Sequence, residues 1–194
     1  MPRAKAKAKG RAKAGARRSR AGKDAIALLK ADHRQVEQWF SQFDKARDDA
    51  RKHELATSIC NALKVHTAIE EEIFYPAFFA ATEDRHLHHE AIVEHDGAKK
   101  LIAEIESSGP EDDFFDAKVT VLSEMIKHHV KEEEQPGGMF AEARRSDMDL
   151  AALGEQLAAR KAELEGDLGA GMGETSPAAR KGRNGGARSG AARH

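Results

Sequence analysis

The sequence predicts an all-α protein: an antiparallel up-down four-helix bundle with a short extra C-terminal helix and disordered tails. Apolar residues recur at helical spacing through most of residues 23–165, and strand-like alternation is absent. Only five prolines interrupt the 194 residues, and Gly/Pro-containing breaks at 107–110 and 135–138 separate segments of similar length. Short turns between helices of similar length favour antiparallel neighbours.

The first two helices are predicted over residues 24–49 and 51–80. Asp24 is a candidate N-cap, because its carboxylate can accept from the free N–H groups of the first turn. Pro76 lacks an N–H group and is expected to bend the second helix near its end. The core face should carry Ile26, Leu29, Val36, Phe40 and Phe43 in the first helix, and Ile59, Leu63, Ile69, Ile73 and Phe74 in the second.

The third and fourth helices are predicted over residues 82–106, with a cap at 82–84, and 112–134. Met139 and Phe140 follow the second break and should pack back on the bundle, which is assigned to residues 23–145. A shorter amphipathic helix at 146–165 completes the body. Trp39 and Phe40, Phe43, Phe74, Phe78 and Phe79 are expected in the core, and Cys60 is expected to be a buried structural thiol.

The two ends differ in composition from the body. Residues 1–23 hold ten Lys/Arg and no acid, and residues 1–22 are predicted to be a disordered basic arm. The Gly/Ala/Arg-rich residues 166–194 are predicted to be a second disordered tail. Residues 24–165 hold 17 basic and 31 acidic residues, so the body is acidic. Three roles are open for the arm. It could keep the protein in solution, bind nucleic acid without sequence specificity, or bind an anionic membrane surface.

Cellular setting follows from cysteine content and hydropathy. The single cysteine excludes an internal disulfide and a CxxC-type zinc site. No apolar run approaches the roughly 18–20 residues that span a bilayer, and the N-terminus lacks the apolar region of a secretory signal. We therefore expect a soluble protein in the cytoplasm.

A His-x-x-x-Glu pattern that occurs twice in the sequence indicates a metal site. His66 and Glu70 are four residues apart, so they differ by about 40° around a helix axis and share a face. A second copy lies near residues 128–134, and single histidines, His33 and His95, lie in the other two helices. Imidazole and carboxylate are ligands that iron, manganese and zinc accept. The pattern predicts a metal held between four helices.

The register of the second copy is open between two pairs. His128 and Glu132 repeat the letters of the first copy, HxxxEEE. His129 instead lies three residues from Ile126 and four from Met125, on the apolar side of the helix. The apolar pattern therefore favours His129 with Glu133.

The chain resembles the hemerythrin-like (HHE cation-binding) domain family. The matching stretches are 32–34 (DHR), 66–76 (HTAIEEEIFYP), 94–96 (EHD) and 129–133 (HVKEE), and the resemblance covers about residues 24–145. It implies a non-haem centre of two Fe ions, oxo- or hydroxo-bridged and joined by two carboxylates. The ligands it implies are His33, His66, Glu70, His95, His129 and Glu133.

Two departures separate the chain from the oxygen-carrying hemerythrins. Those proteins have a second histidine four residues from the one in the third helix, where this chain has Ala91 and Lys99. They also use aspartate where this chain has Glu133. Fewer imidazoles leave open positions, which favours reaction with O2, H2O2 or NO over oxygen storage. His88 is expected at the surface or in a loop, with a place in a pocket or exit path as the alternative. Tyr75 is expected to pack in the core, with a hydrogen bond to the centre as the alternative.

The resemblance thus implies a protein that binds, senses or detoxifies oxygen, peroxide or nitric oxide, or senses iron, with catalase-like activity as the enzymatic form. One alternative is a regulatory or interaction module with a structural metal, tethered to nucleic acid by its basic arm. Another is a bundle without metal. Oligomeric state does not follow from the sequence.

Overall fold

The computed structural model describes residues 24–82 and 84–173, and every regular element within them is a helix. This confirms the all-α class. The predicted arm at 1–22, the cap residue at 83 and the tail residues 174–194 lie outside the described part of the chain. The elements are α1 (Ala25–Phe43), α2 (Asp49–Ile69), a π-helical turn (Glu70–Phe74), α3 (Tyr75–Thr82), α4 (Arg85–Glu106), α5 (Phe115–Glu134), α6 (Met139–Arg145) and α7 (Leu150–Gly173).

Aspartate side chains begin four of the described helices. The carboxylates of Asp24, Asp48, Asp84 and Asp149 each accept from a backbone N–H group three residues ahead, at 2.8, 2.9, 3.1 and 3.0 Å. Asp24 was predicted as a cap. The first helix was predicted to end near residue 49, but α1 ends at Phe43. Asp48 explains the difference, because the chain must leave the first helix before an extended Asp48 can cap α2.

The second predicted helix is continuous through residues 49–82, but its middle is a π-helical turn. The N–H group of Tyr75 donates to the carbonyl of Glu70, five residues back. Pro76 follows at once and has no N–H group to continue the α-helical ladder. The irregularity therefore lies just before the proline, where π-turns within helices often mark functional sites.

Two apolar clusters fill the interior, one on each side of a polar level. One contains Val36 and Leu63, and the other contains Leu29 and Ile69. His33 lies between Leu29 and Val36 along α1, and His66 lies between Leu63 and Ile69 along α2. The polar level is therefore enclosed by apolar layers above and below.

The predicted aromatic core is largely present. Phe40, Phe43, Phe74 and Phe78 are buried, whereas Trp39 and Phe79 are only half-buried. Met139 and Phe140 are buried, as expected, at the start of α6, which was not predicted as a helix. Within the described residues, no helix combines the length and apolar character needed to span a bilayer.

The last helix is longer than the predicted 146–165. It begins at Leu150, continues to Gly173 and packs on α1, α2 and the π-turn. Residues 166–173 are rich in glycine, which disfavours helix and led to their assignment to the tail. Leu168 is nevertheless half-buried and lines a cavity with Ala56 and Cys60, so apolar contact offsets the weak local preference.

Candidate metal centre

All six predicted ligand positions lie at the polar level between the apolar clusters. They come from α1, α2, the π-turn, α4 and α5, and none is more than 5% exposed. Ionisable side chains are rarely buried so completely unless they are paired or bind a metal. The six are His33, His66, Glu70, His95, His129 and Glu133.

The imidazole nitrogens of these residues converge. The Nε2 atoms of His33 and His66 are 3.0 Å apart, and those of His95 and His129 are 3.3 Å apart. Carboxylate oxygens lie at similar distances: Glu70 Oε2 is 3.2 Å from His66 Nε2 and 3.5 Å from His95 Nε2. Glu133 Oε2 is 3.4 Å from His33 Nε2 and 3.7 Å from His129 Nε2.

Outer carboxylates hold the opposite nitrogens of three imidazoles. The Nδ1–H group of His33 donates to Glu134 at 2.8 Å, that of His95 to Glu71 at 2.9 Å, and that of His129 to Glu94 at 2.7 Å. A carboxylate can only accept, so these bonds fix the tautomer and leave each Nε2 with a free lone pair. Carboxylate-anchored imidazoles of this kind are typical of metal-binding histidines.

The fourth imidazole, that of His66, faces a carboxylate that a lysine of α7 holds in place. His66 Nδ1 lies 3.6 Å from Asp32 Oδ2, and Lys161 of α7 donates to Asp32 Oδ1 at 2.5 Å. The last helix therefore fixes the carboxylate that faces His66, although it lies far from the motif in sequence.

A cation fits this arrangement better than hydrogen bonding alone. Glu70 Oε1, Glu133 Oε2 and His66 Nδ1 are buried without a hydrogen-bond partner. Unpaired buried polar atoms cost roughly 1–3 kcal/mol each, and a cation among them would remove that cost. Two ligand atoms about 2.1 Å from a shared ion lie about 3.0–3.4 Å apart, close to the Nε2–Nε2 and Nε2–carboxylate separations here.

The donor atoms form two groups with Glu70 in common. His33, His66, Glu70 and Glu133 make one group, and Glu70, His95 and His129 make the other; within each, the candidate ligand atoms lie within 4.8 Å of one another. A carboxylate shared by two groups is suited to bridging two ions.

Burial and mutual charge shift the proton affinities strongly. Burial opposes charge on His66, but Glu70 and Asp32 outweigh it and raise the pKa of His66 to about 10. Burial lowers the pKa of His95 to about 4. Burial and the charge on Glu70 raise the pKa of Glu133. Because ligands must be deprotonated, a metal ion here would compete directly with protons.

Tyr75 is buried, as expected, and its hydroxyl also faces the centre, which was the alternative to core packing alone. Its hydroxyl is 3.3 Å from Glu70 Oε2, 3.2 Å from Glu133 Oε1 and 3.2 Å from His95 Nε2. Burial raises the pKa of this phenol. Its one proton can therefore be donated to either carboxylate, and its oxygen is a further possible metal donor.

Two further histidines considered in the sequence, His128 and His88, lie outside the buried cluster. His128, of the alternative register, is 61% exposed and faces Glu132 and Glu94. His88 was expected at the surface but is half-buried, because its ring packs against Phe79 and Tyr75. The outer carboxylates Glu71, Glu94 and Glu134 were not predicted, although each adjoins a predicted ligand in sequence.

Fold and site together define a helical protein with a buried histidine–carboxylate cluster able to bind metal. The family model described as "Hemerythrin HHE cation binding domain" matches residues 24–136. The chain therefore belongs to the hemerythrin HHE cation-binding family, which confirms the predicted resemblance. Helices α6 and α7 lie beyond the matched residues.

Two individual proteins are similar to the chain. A hemerythrin HHE cation-binding domain-containing protein from Mycobacterium kansasii has a similar fold, with a TM-score of 0.65 and 23% identity over 79% of this chain and 94% of that one. A protein of Nostoc sp. described as a DNA nickase is 24% identical over 147 residues. The match covers 73% of this chain but only 40% of the nickase.

Proposed function

We propose that the chain is a non-haem di-iron protein that binds and reacts with a small oxidant. The ligands are His33, His66, Glu70, His95, His129 and Glu133, carried by an antiparallel up-down four-helix bundle. The convergence of four imidazole Nε2 atoms, three of them in rings whose Nδ1–H groups are held by outer carboxylates, is the observation that carries this proposal.

The donor set favours two redox-active ions over one zinc ion. Four imidazoles and two carboxylates exceed the four ligands of a structural zinc site. Glu70 belongs to both donor groups, and Glu133 Oε2 lies 3.4 Å from His33 Nε2 and 3.7 Å from His129 Nε2, so both carboxylates are bridging candidates. Two iron ions held in this way would supply one-electron changes at each ion, and together the two electrons that reduction of peroxide requires.

The residues around the centre determine which ligands can reach it. A groove of about 360 Å³ between α1 and α5 is lined by His33, Arg34, Phe40, Val130 and Glu134. His33 is one of its lining residues, so we propose this groove as the approach from the surface to the centre. The apolar layers exclude bulk water, which restricts the centre to small ligands such as O2, H2O2 or NO.

Tyr75 is placed to hold a proton at the centre. Its hydroxyl lies between Glu70 and Glu133 and can donate to a carboxylate oxygen not engaged by metal. Catalase-like turnover, which converts two H2O2 to O2 and two H2O, needs proton movement between oxygen atoms. We propose this as the enzymatic form of the function, in the cytoplasm.

Iron loading with a peroxide assay tests the function. We expect about two irons per chain, oxo-to-iron charge-transfer absorption after exposure to air, and O2 evolution from H2O2. Glu70→Gln should lose iron and O2 evolution, whereas Glu72→Gln, at an exposed neighbour paired with Arg160, should retain both. One iron per chain, or the same loss in both variants, would contradict the di-iron proposal.

A second candidate is nucleic-acid association through residues 1–23. Ten positive charges in this segment and the similarity to a DNA nickase support it. In the full chain, replacing the ten Lys/Arg by Gln should abolish salt-sensitive binding of duplex DNA while leaving metal content unchanged. Plasmid relaxation by the wild-type chain would extend the proposal to cleavage, and unchanged DNA affinity in the Gln variant would refute it.

A further inference from the structure

A second histidine–carboxylate cluster lies at the surface, outside the six buried residues. Its members are Glu94 of α4, and His128 and Glu132 of α5. His128 Nε2 is 3.5 Å from Glu94 Oε1 and 3.2 Å from Glu132 Oε1. His128 is 61% exposed, whereas Glu94 and Glu132 are only 22% and 26% exposed. The cluster is thus open on the imidazole side and partly enclosed at the two carboxylates.

The distances match those between ligands of one metal ion. Two ligand atoms about 2.1 Å from a tetrahedral ion are about 3.4 Å apart. Both carboxylate oxygens lie close to that distance from the same imidazole nitrogen. A set of one imidazole and two carboxylates leaves a fourth position for water, as in zinc sites with three protein ligands.

The charge of the cluster is uncompensated by lysine or arginine. Among the described residues, the ion pairs of Glu94 and Glu132 involve histidines only. Neighbouring carboxylates differ: Glu71 pairs with Lys99, and Glu134 pairs with Lys30 and Arg34. One oxygen of Glu94 accepts from His129 Nδ1–H, so the negative potential that attracts a mobile cation comes from Glu132 and from the other oxygen of Glu94.

An ordinary surface pair in the same protein provides a contrast. His86 and Glu90 of α4 are also four residues apart, with 3.4 Å between Nδ1 and Oε2. They are 84% and 41% exposed, and no third donor joins them among the described residues. The cluster around His128 differs by a carboxylate from a second helix, which is what turns a pair into a three-donor site.

We propose that His128, Glu94 and Glu132 bind one divalent cation of the first transition series, with Zn²⁺ as the probe. The ligands are His128 Nε2, Glu94 Oε1 and Glu132 Oε1, and water completes the shell. This site contains none of the six buried residues. The two sites are joined through Glu94, whose Oε2 atom accepts from His129 Nδ1–H at 2.7 Å while its Oε1 atom faces His128.

Zinc binding by the full-length chain tests this site. Equilibrium dialysis against buffered Zn²⁺ would be compared for wild type, His128→Gln/Glu132→Gln and the matched control His86→Gln/Glu90→Gln. We expect the first variant to bind about one zinc fewer per chain than wild type and the control to bind as much as wild type. Equal binding by all three, or equal loss in both variants, would overturn the site.

A second measurement does not rely on a variant that folds. In wild-type chain labelled with ¹⁵N-histidine, zinc should shift the Nε2 resonance of His128 at the concentrations where dialysis detects the extra ion. The His86 resonances should not follow the same curve. A His128 resonance that stays unchanged at saturating zinc would overturn the site. His66→Gln separates the two sites, because it removes a buried donor and leaves the surface ion bound.

Discussion

The Nε2 atoms of His33 and His66 face each other at 3.0 Å in the interior of the protein. His33 donates from its other nitrogen to Glu134, so its Nε2 carries a lone pair directed at the second ring. A proton on His66 or a metal ion can occupy the position between the rings, and the pKa of His66, raised to about 10, favours the proton when no metal is bound. Metal binding at this pair must therefore displace a proton.

Metal binding should stabilise the fold. A ligand that binds only the native state at 100 times its dissociation constant adds about 2.7 kcal/mol to the free energy of unfolding. We expect urea denaturation midpoints to rise when iron(II) is added anaerobically and to fall again with a chelator. In Glu70→Gln the rise should be much smaller. Identical midpoints with and without iron in the wild-type chain would contradict metal binding at the centre.

The outer carboxylates should tune metal affinity without being ligands. Glu71 accepts from His95 Nδ1–H, and Glu71→Gln replaces a charged acceptor by a neutral amide. Loss of such partners typically costs about 10–100-fold in metal affinity. Competition with a chromophoric chelator measures this loss. Glu72→Gln is the control at the next position, since Glu72 pairs with Arg160; equal affinities in both variants would show that the contact to His95 has no effect.

Helix α7 should contribute to the stability of the whole domain. Leu157 is fully buried against the cluster that contains Leu29 and Phe74. Leu157→Ala removes buried methyl groups and should lower the free energy of unfolding by about 2–5 kcal/mol. Urea denaturation gives the value, with Gln156→Ala at an exposed neighbour as control. A change within 0.5 kcal/mol, in the range of surface substitutions, would mean that α7 is not integral to the fold.

Cys60 should be unreactive in the native protein near neutral pH. Burial raises the pKa of its thiol from 9.0 to about 12, and only the thiolate is nucleophilic. Alkylation by iodoacetamide at pH 8 should be slow in the native chain and fast in urea. Because the folded pKa is the higher one, the stability contributed by the neutral thiol is present below about pH 9 and is lost between pH 9 and 12. Equal alkylation rates with and without urea would contradict this.

The buried cluster was accessible to sequence reasoning because helical periodicity fixes which side chains share a face. His66 and Glu70 are one turn apart, and His129 lies among apolar positions, so the favoured register is the one that the structure buries. The partners of the imidazole Nδ1 atoms come from other helices or from positions next to the ligands. Their geometry depends on helix packing, which a single sequence does not specify.

Tyr75 shows where periodicity fails. In an α-helix, residues five apart differ by about 140° around the axis, so Tyr75 would point away from Glu70. The π-turn adds a residue to this stretch and brings the tyrosine hydroxyl to 3.3 Å from the glutamate. Pro76 indicated an irregularity nearby but not its form. The length of α7 was missed for a different reason, because tertiary contact at Leu168 overrides the local preference of a glycine-rich segment.

The wide turn at Glu70–Phe74 also determines which sequence changes this segment can accept. Glu72 is exposed within it, so substitution there alters little beyond the contact to Arg160. Removing one residue from the turn would restore an α-helical turn, in which Tyr75 follows Glu70 by four residues and stays on its face. Adding a residue is different, because the turn already holds one residue more than an α-helix, and another would rotate the following helix by about 100°. Tyr75 would then leave the carboxylates and Phe78 would leave its apolar cluster, so this stretch tolerates a shorter chain better than a longer one.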